Sequence, residues 1–164
     1  MTRFAALIAL SLLLPGAAFA KSYTLPDDNA IAVITLPDAW SNEETDDGVE
    51  STSPDDEVYV AVEVKAAKDV AAAVGEALKF LVDNEVKIDP ATEKRKEMKI
   101  GGMDALDVSF TGVHEGKVNN VSVSIVIVNP EKVLILTYWA SPAGEQKHAA
   151  TLQAIAESIK KVGG

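Results

Sequence analysis

The sequence contains no cysteine and few aromatic residues. Without cysteine the chain can form no disulfide, offer no thiolate ligand to a metal and use no thiol nucleophile. Phe, Trp and Tyr together make up 5% of the residues, which disfavours a base-stacking or sugar-stacking surface. The two histidines, His114 and His148, lie far apart, whereas zinc takes three or four closely spaced nitrogen or sulfur ligands. We expect both histidines to be exposed and without partners.

Catalytic signatures are also missing. The chain has no G-x-S-x-G, no P-loop, no G-x-G-x-x-G and no H-E-x-x-H. Carboxylates are plentiful, but none lies in an apolar stretch that would raise its pKa. The sequence therefore predicts no catalytic residue and no cofactor-binding residue, and the chain is predicted not to be an enzyme.

Positive charge is in short supply. The chain has 15 Lys and Arg against 25 Asp and Glu, for a formal net charge of −10. An acidic surface repels nucleic acid and anionic lipid headgroups, and it attracts cations or basic partners. We therefore expect no nucleic-acid partner, and a partner protein that remains unidentified.

The longest apolar run lies at the N-terminus and is typical of a secretory signal peptide. Arg3 precedes the apolar stretch Phe4–Leu14, and Ala18-Phe19-Ala20 fits the small-x-small cleavage pattern. The run is shorter than the roughly 20 residues that span a bilayer. No cysteine follows it that could carry a lipid anchor. We predict a signal peptide at 1–20, cleavage after Ala20, export to the periplasm without a membrane span, and one domain at 21–164.

The rest of the chain alternates between strand and helix patterns. Apolar residues alternate with polar ones at Val58–Lys65 and again at 106–111, which indicates half-buried strands. Helical spacing predicts helices at 69–87, with Val70, Val74, Leu78, Leu81 and Val82 buried, and at 142–162, with Ser141 as N-cap. The Lys-rich segment 92–99 before Gly101-Gly102 suits a sheet edge. The predicted fold is α+β, a single domain with a central antiparallel β-sheet sandwiched between α-helices.

The hairpin 121–139 carries apolar residues on both faces, which places it in the middle of the sheet. If Asn129 pairs with Lys132, Ser122, Ser124, Thr137 and Trp139 share one face, and a one-residue slip would exchange the partners. Their more polar end could form a shallow binding groove near Trp40. Trp40 follows a strand and Pro37, so it is expected to anchor a core edge or to form an exposed ligand platform. The predicted groove comprises Trp40, Ser122, Ser124, Thr137 and Trp139.

An acidic segment at 43–57 is the weak candidate for a metal site. Glu43, Glu44, Asp46 and Asp47 offer oxygens and Gly48 allows a turn, but the alternate-residue spacing of a calcium loop is broken. A solvated acidic loop without a metal is the prediction. Calcium binding by this loop is the alternative.

Three segments resemble the PsbP/DcrB-like group of proteins: Ile34–Trp40 (ITLPDAW), Met98–Ala105 (MKIGGMDA) and Leu152–Ile159 (LQAIAESI). The resemblance implies the Mog/PsbP fold, in which helices enclose an antiparallel sheet, and non-enzymatic work as accessory subunits or adaptors. It transfers no functional residue, and the lipobox Cys of the DcrB pattern is missing. We expect an exported periplasmic binding or accessory protein, monomeric or weakly dimeric, that meets an envelope protein through a surface or shallow groove. The alternative is a small-molecule or cation carrier that uses the loop 43–57.

Overall fold

A computed structural model describes residues 20–26 and 29–163. The described chain forms two α-helices, α1 (Val70–Asp83) and α2 (Pro142–Ser158), and a 3₁₀ turn at Ala67–Asp69. The strands are β1 (Ala20–Leu25), β2 (Ala32–Pro37), β3 (Ser41–Thr45), β4 (Gly48–Thr52), β5 (Val58–Ala66), β6 (Lys87–Ile100), β7 (Met103–His114), β8 (Lys117–Ile127), β9 (Lys132–Ala140) and β10 (Lys160–Lys161). The predicted signal peptide lies outside the described residues except for Ala20, so its cleavage stays a prediction.

The strands form two antiparallel sheets. Seven make the main sheet in the order β3-β4-β5-β9-β8-β7-β6, and β1-β2-β10 make a smaller one. Helix α1 lies on one face of the main sheet, whereas α2 and the small sheet cover the other. The predicted α+β fold with a sandwiched antiparallel sheet is thereby confirmed. The Lys-rich strand β6 lies at a sheet edge, as expected.

Alternation along the central strands creates two cores. On β5, Val60 and Val62 point into the α2-side core, which also contains Ile34 of the small sheet. Tyr59 and Ala61 point to the opposite face, into the α1-side core. The period of two in strand side chains thus lets one sheet support a core on each face.

Helix α1 differs from its prediction in length and in orientation. It ends at Asp83 rather than at 87, because Asn84 leaves the helical backbone conformation and Glu85 adopts a left-handed φ of 60°. Its fully buried residues are Ala73, Ala77 and Leu81. The sheet beneath already carries the large rings of the α1-side core, so small helix residues face it. The predicted buried row Val70, Val74 and Leu78 is only half-buried, and Val82 is 63% exposed.

Helix α2 begins as predicted and ends early. The Ser141 hydroxyl accepts the Gly144 N–H at 2.9 Å, which confirms the N-cap. The helix ends at Ser158 instead of 162, because the backbone turns extended at Ile159. The Ser158 hydroxyl accepts the Thr35 N–H of β2 at 2.9 Å and so joins the helix end to the small sheet. The chain then runs extended as β10 beside β2. Within 20–26 and 29–163, neither helix has the length and hydropathy needed to cross a membrane.

Candidate functional site

The register of the β8–β9 hairpin decides where the predicted groove residues lie. Ile125 pairs with Ile135, and Ile127 pairs with Val133, one residue away from the Asn129–Lys132 register. The Asn129 side chain accepts the N–H groups of Glu131 and Lys132, each at 2.9 Å, and so holds a longer loop. The register in which Asn129 pairs with Lys132 is therefore wrong, and the strands pair in the alternative register, shifted by one residue.

This slip splits the predicted groove between the two faces of the sheet. Ser122 and Ser124 lie on the α2 side, where the Ser124 hydroxyl donates to Asp107 at 2.6 Å. Thr137 and Trp139 lie on the α1 side, and both are buried. Trp40 is buried in the α2-side core. These five residues do not line one surface, and of the two roles expected for Trp40 the structure shows the core anchor.

Both histidines have partners, contrary to expectation. His148 Nε2 lies 3.0 Å from Asp55 Oδ1, and its ring meets the Trp40 ring edge-on at 5.4 Å. The His114 ring contacts Trp139 edge-on at 5.9 Å. Hydrogen bonds from Lys147 and Ser53 to Asp55, together with His148, hold the pKa of that carboxyl well below its usual range. This cluster fastens α2 to the segment between β4 and β5.

The first part of the acidic segment 43–57 belongs to the β-hairpin β3–β4 rather than to the predicted loop, whereas 53–57 connects β4 to β5. Two of its four weak metal candidates have lysine partners: Glu44 is 2.7 Å from Lys21, and Asp47 is 2.9 Å from Lys65. Successive strand residues such as Glu43 and Glu44 point to opposite faces. In the part of the chain that the structure describes, no three His, Asp or Glu side chains are grouped to hold a metal ion.

The groups with strongly displaced pKa values take part in structural hydrogen bonds. Burial raises the pKa of Tyr59, whose hydroxyl donates to Glu50 at 2.5 Å. Burial likewise raises the pKa of Tyr138, whose hydroxyl donates to Glu145 of α2 at 2.9 Å. Displaced pKa values often mark catalytic groups, but each of these residues ties neighbouring elements together.

Two open, mostly apolar cavities lie between α1 and the outer strands of the main sheet, and together we call them the α1 cleft. It contains a cavity of about 570 Å³ near Val70, Leu106 and Ile125, and one of about 1010 Å³ near Leu78 and Phe110. Such volumes are of the order of those of small-molecule sites. Both cavities lie beside α1, toward its two ends.

The cleft exists because α1 does not cover the whole sheet. The helix lies across β5, β9 and β8, with a further contact to β6. On the same face, β7 presents Leu106, Val108 and Phe110, which pair with Ile125, Val123 and Val121 and are half-buried. Val82 and Ile127, 63% and 55% exposed, mark the two ends. Residues of α1 and of β7 thus lie on opposite sides of the two cavities: Val70, Leu78 and Val82 on α1, and Leu106 and Phe110 on β7.

Charges around the α1 cleft are mostly negative. Its lining includes five carboxylates and one lysine, Lys87. Arg95 pairs with Glu93 and Lys99 pairs with Asp104, each at 2.7 Å, which neutralises two of the carboxylates. Among the remaining charged residues of the lining, three are carboxylates, Glu85, Glu97 and Glu115, and one is a lysine, Lys87.

A smaller cavity of about 270 Å³ lies on the other side of α1. Tyr59, Phe80 and Thr137 line it, together with Glu50 and Glu63 of the β4–β5 pair. The Tyr59 ring stacks on Trp139 with 3.9 Å between ring centroids, so the floor of this cavity is aromatic. Of the predicted groove residues, only Thr137 lines it.

Comparison with known proteins yields structural likeness without sequence relatives. No protein-family model matches the sequence, and no curated protein sequence matches it significantly. The fold is similar to that of LpqN, a protein involved in cell envelope biogenesis of Mycobacterium tuberculosis, at a TM-score of 0.51 and 15% identity over 87% of this chain and 91% of that one. It is also similar to the cyanobacterial PsbP (CyanoP) of Synechocystis sp. PCC 6803, at a TM-score of 0.55 and 11% identity over 90% of this chain and 95% of that one.

A Bacteroides thetaiotaomicron protein solved at 1.50 Å is also similar, with a TM-score of 0.56 and 16% identity over 86% of this chain and 48% of that one. At such identities the likeness concerns the fold alone. The Mog/PsbP-like fold expected from the resemblance is confirmed.

Proposed function

We propose that this chain is an exported, non-enzymatic binding or accessory domain that acts through the α1 cleft. The observation that carries the proposal is the cleft itself, an apolar surface left open on a sheet whose other face is covered by α2 and the small sheet. Contiguous apolar surface on a folded domain is often a site of interaction. The groups with displaced pKa values, Tyr59, Tyr138 and Asp55, are held in structural hydrogen bonds, which favours binding over catalysis.

Export is supported by the leader-like segment 1–20 and by the fold shared with LpqN, which is involved in cell envelope biogenesis. A mature chain recovered from the periplasm with its N-terminus at Lys21 is the expected result. Mass spectrometry of the exported protein measures that terminus directly. A full-length chain in the cytoplasm would contradict export.

Site-specific photocrosslinking tests the cleft as the acting surface. A photoreactive amino acid is placed at Val82 or Ile127 of the full chain, in the cells that produce it, and Val162 serves as the control because it is 40% exposed outside the cleft. The proposal is supported if both cleft positions give the same discrete adduct and Val162 gives none. The adduct should also be lost when a second substitution, Phe110→Asp, places a charge in the cleft. Adducts of equal yield at all three positions, or none at the cleft, overturn it.

The alternative function is a small-molecule or cation carrier. The cavity beside Tyr59 favours it, because aromatic rings and carboxylates together recognise organic cations. Thermal melts with calcium and with a panel of small ammonium compounds test this alternative, since a ligand at 100 times its dissociation constant stabilises by about 2.7 kcal/mol. A shift that is abolished by Glu50→Gln supports a carrier, and flat melts across the panel contradict it.

A further inference from the structure

We propose that the occupant of the α1 cleft is an amphipathic α-helix of another protein, with an apolar stripe flanked by Lys and Arg. The inference rests on the proposed function and specifies the partner that the same surface takes. Helix-in-groove binding of this kind uses apolar anchors at i, i+3 or i+4, and i+7.

The width of the uncovered sheet fits one helix. With α1 across β5, β9 and β8 and in contact with part of β6, strand β7 and the rest of β6 remain beside it on the same face. Two strands and the gap to α1 span about 10–14 Å at a strand spacing of about 4.8 Å. A helix with its side chains is about 10 Å across. An added helix beside α1 would therefore complete the layer over the sheet.

The walls of the cleft offer the repeat that a helix needs. Val70, Val74, Leu78 and Val82 recur every fourth residue and form one ridge along α1. This ridge is half-buried and ends in the exposed Val82. Ridges of this spacing pack into the grooves of a neighbouring helix. On the other side of the cleft, Leu106 and Phe110 of β7 supply half-buried apolar surface.

Charge decides which helix fits. Glu85, Glu97 and Glu115 stand around the cleft against Lys87, and the whole chain carries a net charge of −10. Basic residues that flank the apolar stripe of the partner would meet these carboxylates. Such complementarity steers association and disfavours acidic partners.

The same charges argue against other occupants. A second copy of this acidic chain would set carboxylates against carboxylates. A bilayer with anionic headgroups would be repelled by the rim. An added β-strand would have to pair along β6, whose exposed Lys94, Lys96 and Lys99 protect that edge.

Peptide binding tests the inference. Three peptides of the length of α1, 14 residues, are held helical by a side-chain lactam: a Leu stripe flanked by Lys, the same stripe flanked by Glu, and a scrambled Lys peptide. Fluorescence anisotropy measures their binding to the exported protein. We expect the basic amphipathic peptide to bind at least about tenfold more tightly than the other two, and less tightly as salt is raised.

Matched variants locate the binding. Val82→Lys and Ile127→Lys each place a charge at one end of the cleft, and Val162→Lys places the same charge outside it. Because all three positions are exposed, we expect each variant to fold. The cleft variants are expected to weaken the basic peptide by about tenfold, which is 1.4 kcal/mol, and Val162→Lys to leave it unchanged. Equal losses in all three variants, or equal binding of the basic and acidic peptides, overturn the inference.

Two further measurements test whether the cleft instead binds lipid or a second copy of the chain. Binding to phosphatidylcholine vesicles that Val82→Lys abolishes would assign the cleft to lipid, and a dimer in sedimentation that Val82→Lys dissociates would assign it to a second copy. Either result overturns the inference. A cleft-specific photocrosslink without peptide binding leaves the proposed function standing and rejects the helix alone, whereas the absence of both rejects both.

Discussion

At the scale of single residues, the Asp55 carboxylate joins helix α2 to the segment between β4 and β5. No motif in the sequence indicated this connection. Its carboxylate accepts hydrogen bonds from Lys147 at 2.6 Å and from Ser53 at 2.7 Å, and it lies 3.0 Å from His148. Lys147 and His148 belong to α2, whereas Asp55 lies between β4 and β5. These partners stabilise the ionised carboxylate, with Lys147 contributing most, and so lower its pKa.

Asp55→Asn is therefore expected to destabilise the fold in a pH-dependent way. A carboxyl whose pKa is lower in the folded state than its ordinary value of about 3.9 stabilises the fold above that value. The contribution is lost as pH falls through the folded-state pKa. Urea unfolding from about pH 6 down to about pH 2 should show the difference between wild type and variant shrinking. Asp56→Asn, at the exposed neighbour, is the matched control, and a difference that does not change with pH would contradict the expectation.

At the scale of elements, the C-terminal segment shows how a helix prediction can miss a strand. The buried Ile159 and the short β10 follow α2, and the Val162 N–H donates to the Ile31 carbonyl at 2.8 Å. The Ile159 carbonyl lies so close to Gly101 that a Cβ there would fall 1.8 Å from the Ile159 oxygen. Helical spacing placed Ile159 and Val162 on the same helix face as Leu152 and Ile155, but the chain past Ser158 belongs to the small sheet.

A chain that ends at Ser158 should be clearly less stable than one that ends at Val162. The shorter chain loses a side chain that is only 1% exposed, and burial of an Ile contributes about 1.5–3 kcal/mol. It also loses the backbone pairing of β10 with β2. Urea unfolding of both truncated chains and of the full domain measures the effect. Equal midpoints for all three would show that the segment adds nothing to stability.

The sequence predicted those elements whose signal is local and strong. The strand at Val58–Lys65, the Ser141 cap and the Lys-rich edge strand all appear in the structure. The prediction that the Val58–Lys65 strand is only half-buried was wrong, because Tyr59 and Ala61 on its second face are buried under α1. The orientation of α1 was missed because Ala73 and Ala77 weigh little in a hydrophobic pattern, although small side chains let a helix approach a sheet carrying large rings.

The prediction of the groove was wrong for a different reason, which is that side chains alternate between the two faces of a strand. A one-residue change of register moves every side chain of a strand to the opposite face. The hydrogen bonds of the Asn129 side chain set that register, and the identity of the turn residues alone left it open. The α1 cleft could not be predicted from the sequence, because it depends on which part of the sheet α1 leaves uncovered.

At the scale of the whole molecule, the two faces of the main sheet are covered unequally. The α2 side has both a helix and a three-stranded sheet against it, whereas the α1 side has one helix of 14 residues. The open part of the second face accounts for the cleft. The two cores nevertheless share the strands β5, β8 and β9, whose alternate residues contribute to each.

Shared strands should make the two cores unfold together, and the two tryptophans provide a probe of each. Trp40 lies in the α2-side core and Trp139 in the α1-side core. Trp139→Phe leaves fluorescence that reports the first core, and Trp40→Phe leaves fluorescence that reports the second. In each variant, the urea midpoint from fluorescence should coincide with the midpoint from far-UV circular dichroism, as two-state unfolding requires. A fluorescence transition that precedes the dichroism transition in Trp40→Phe alone would instead show α1 and its core detaching from a sheet that stays folded, and the α1 cleft would then be part of a separately unfolding unit.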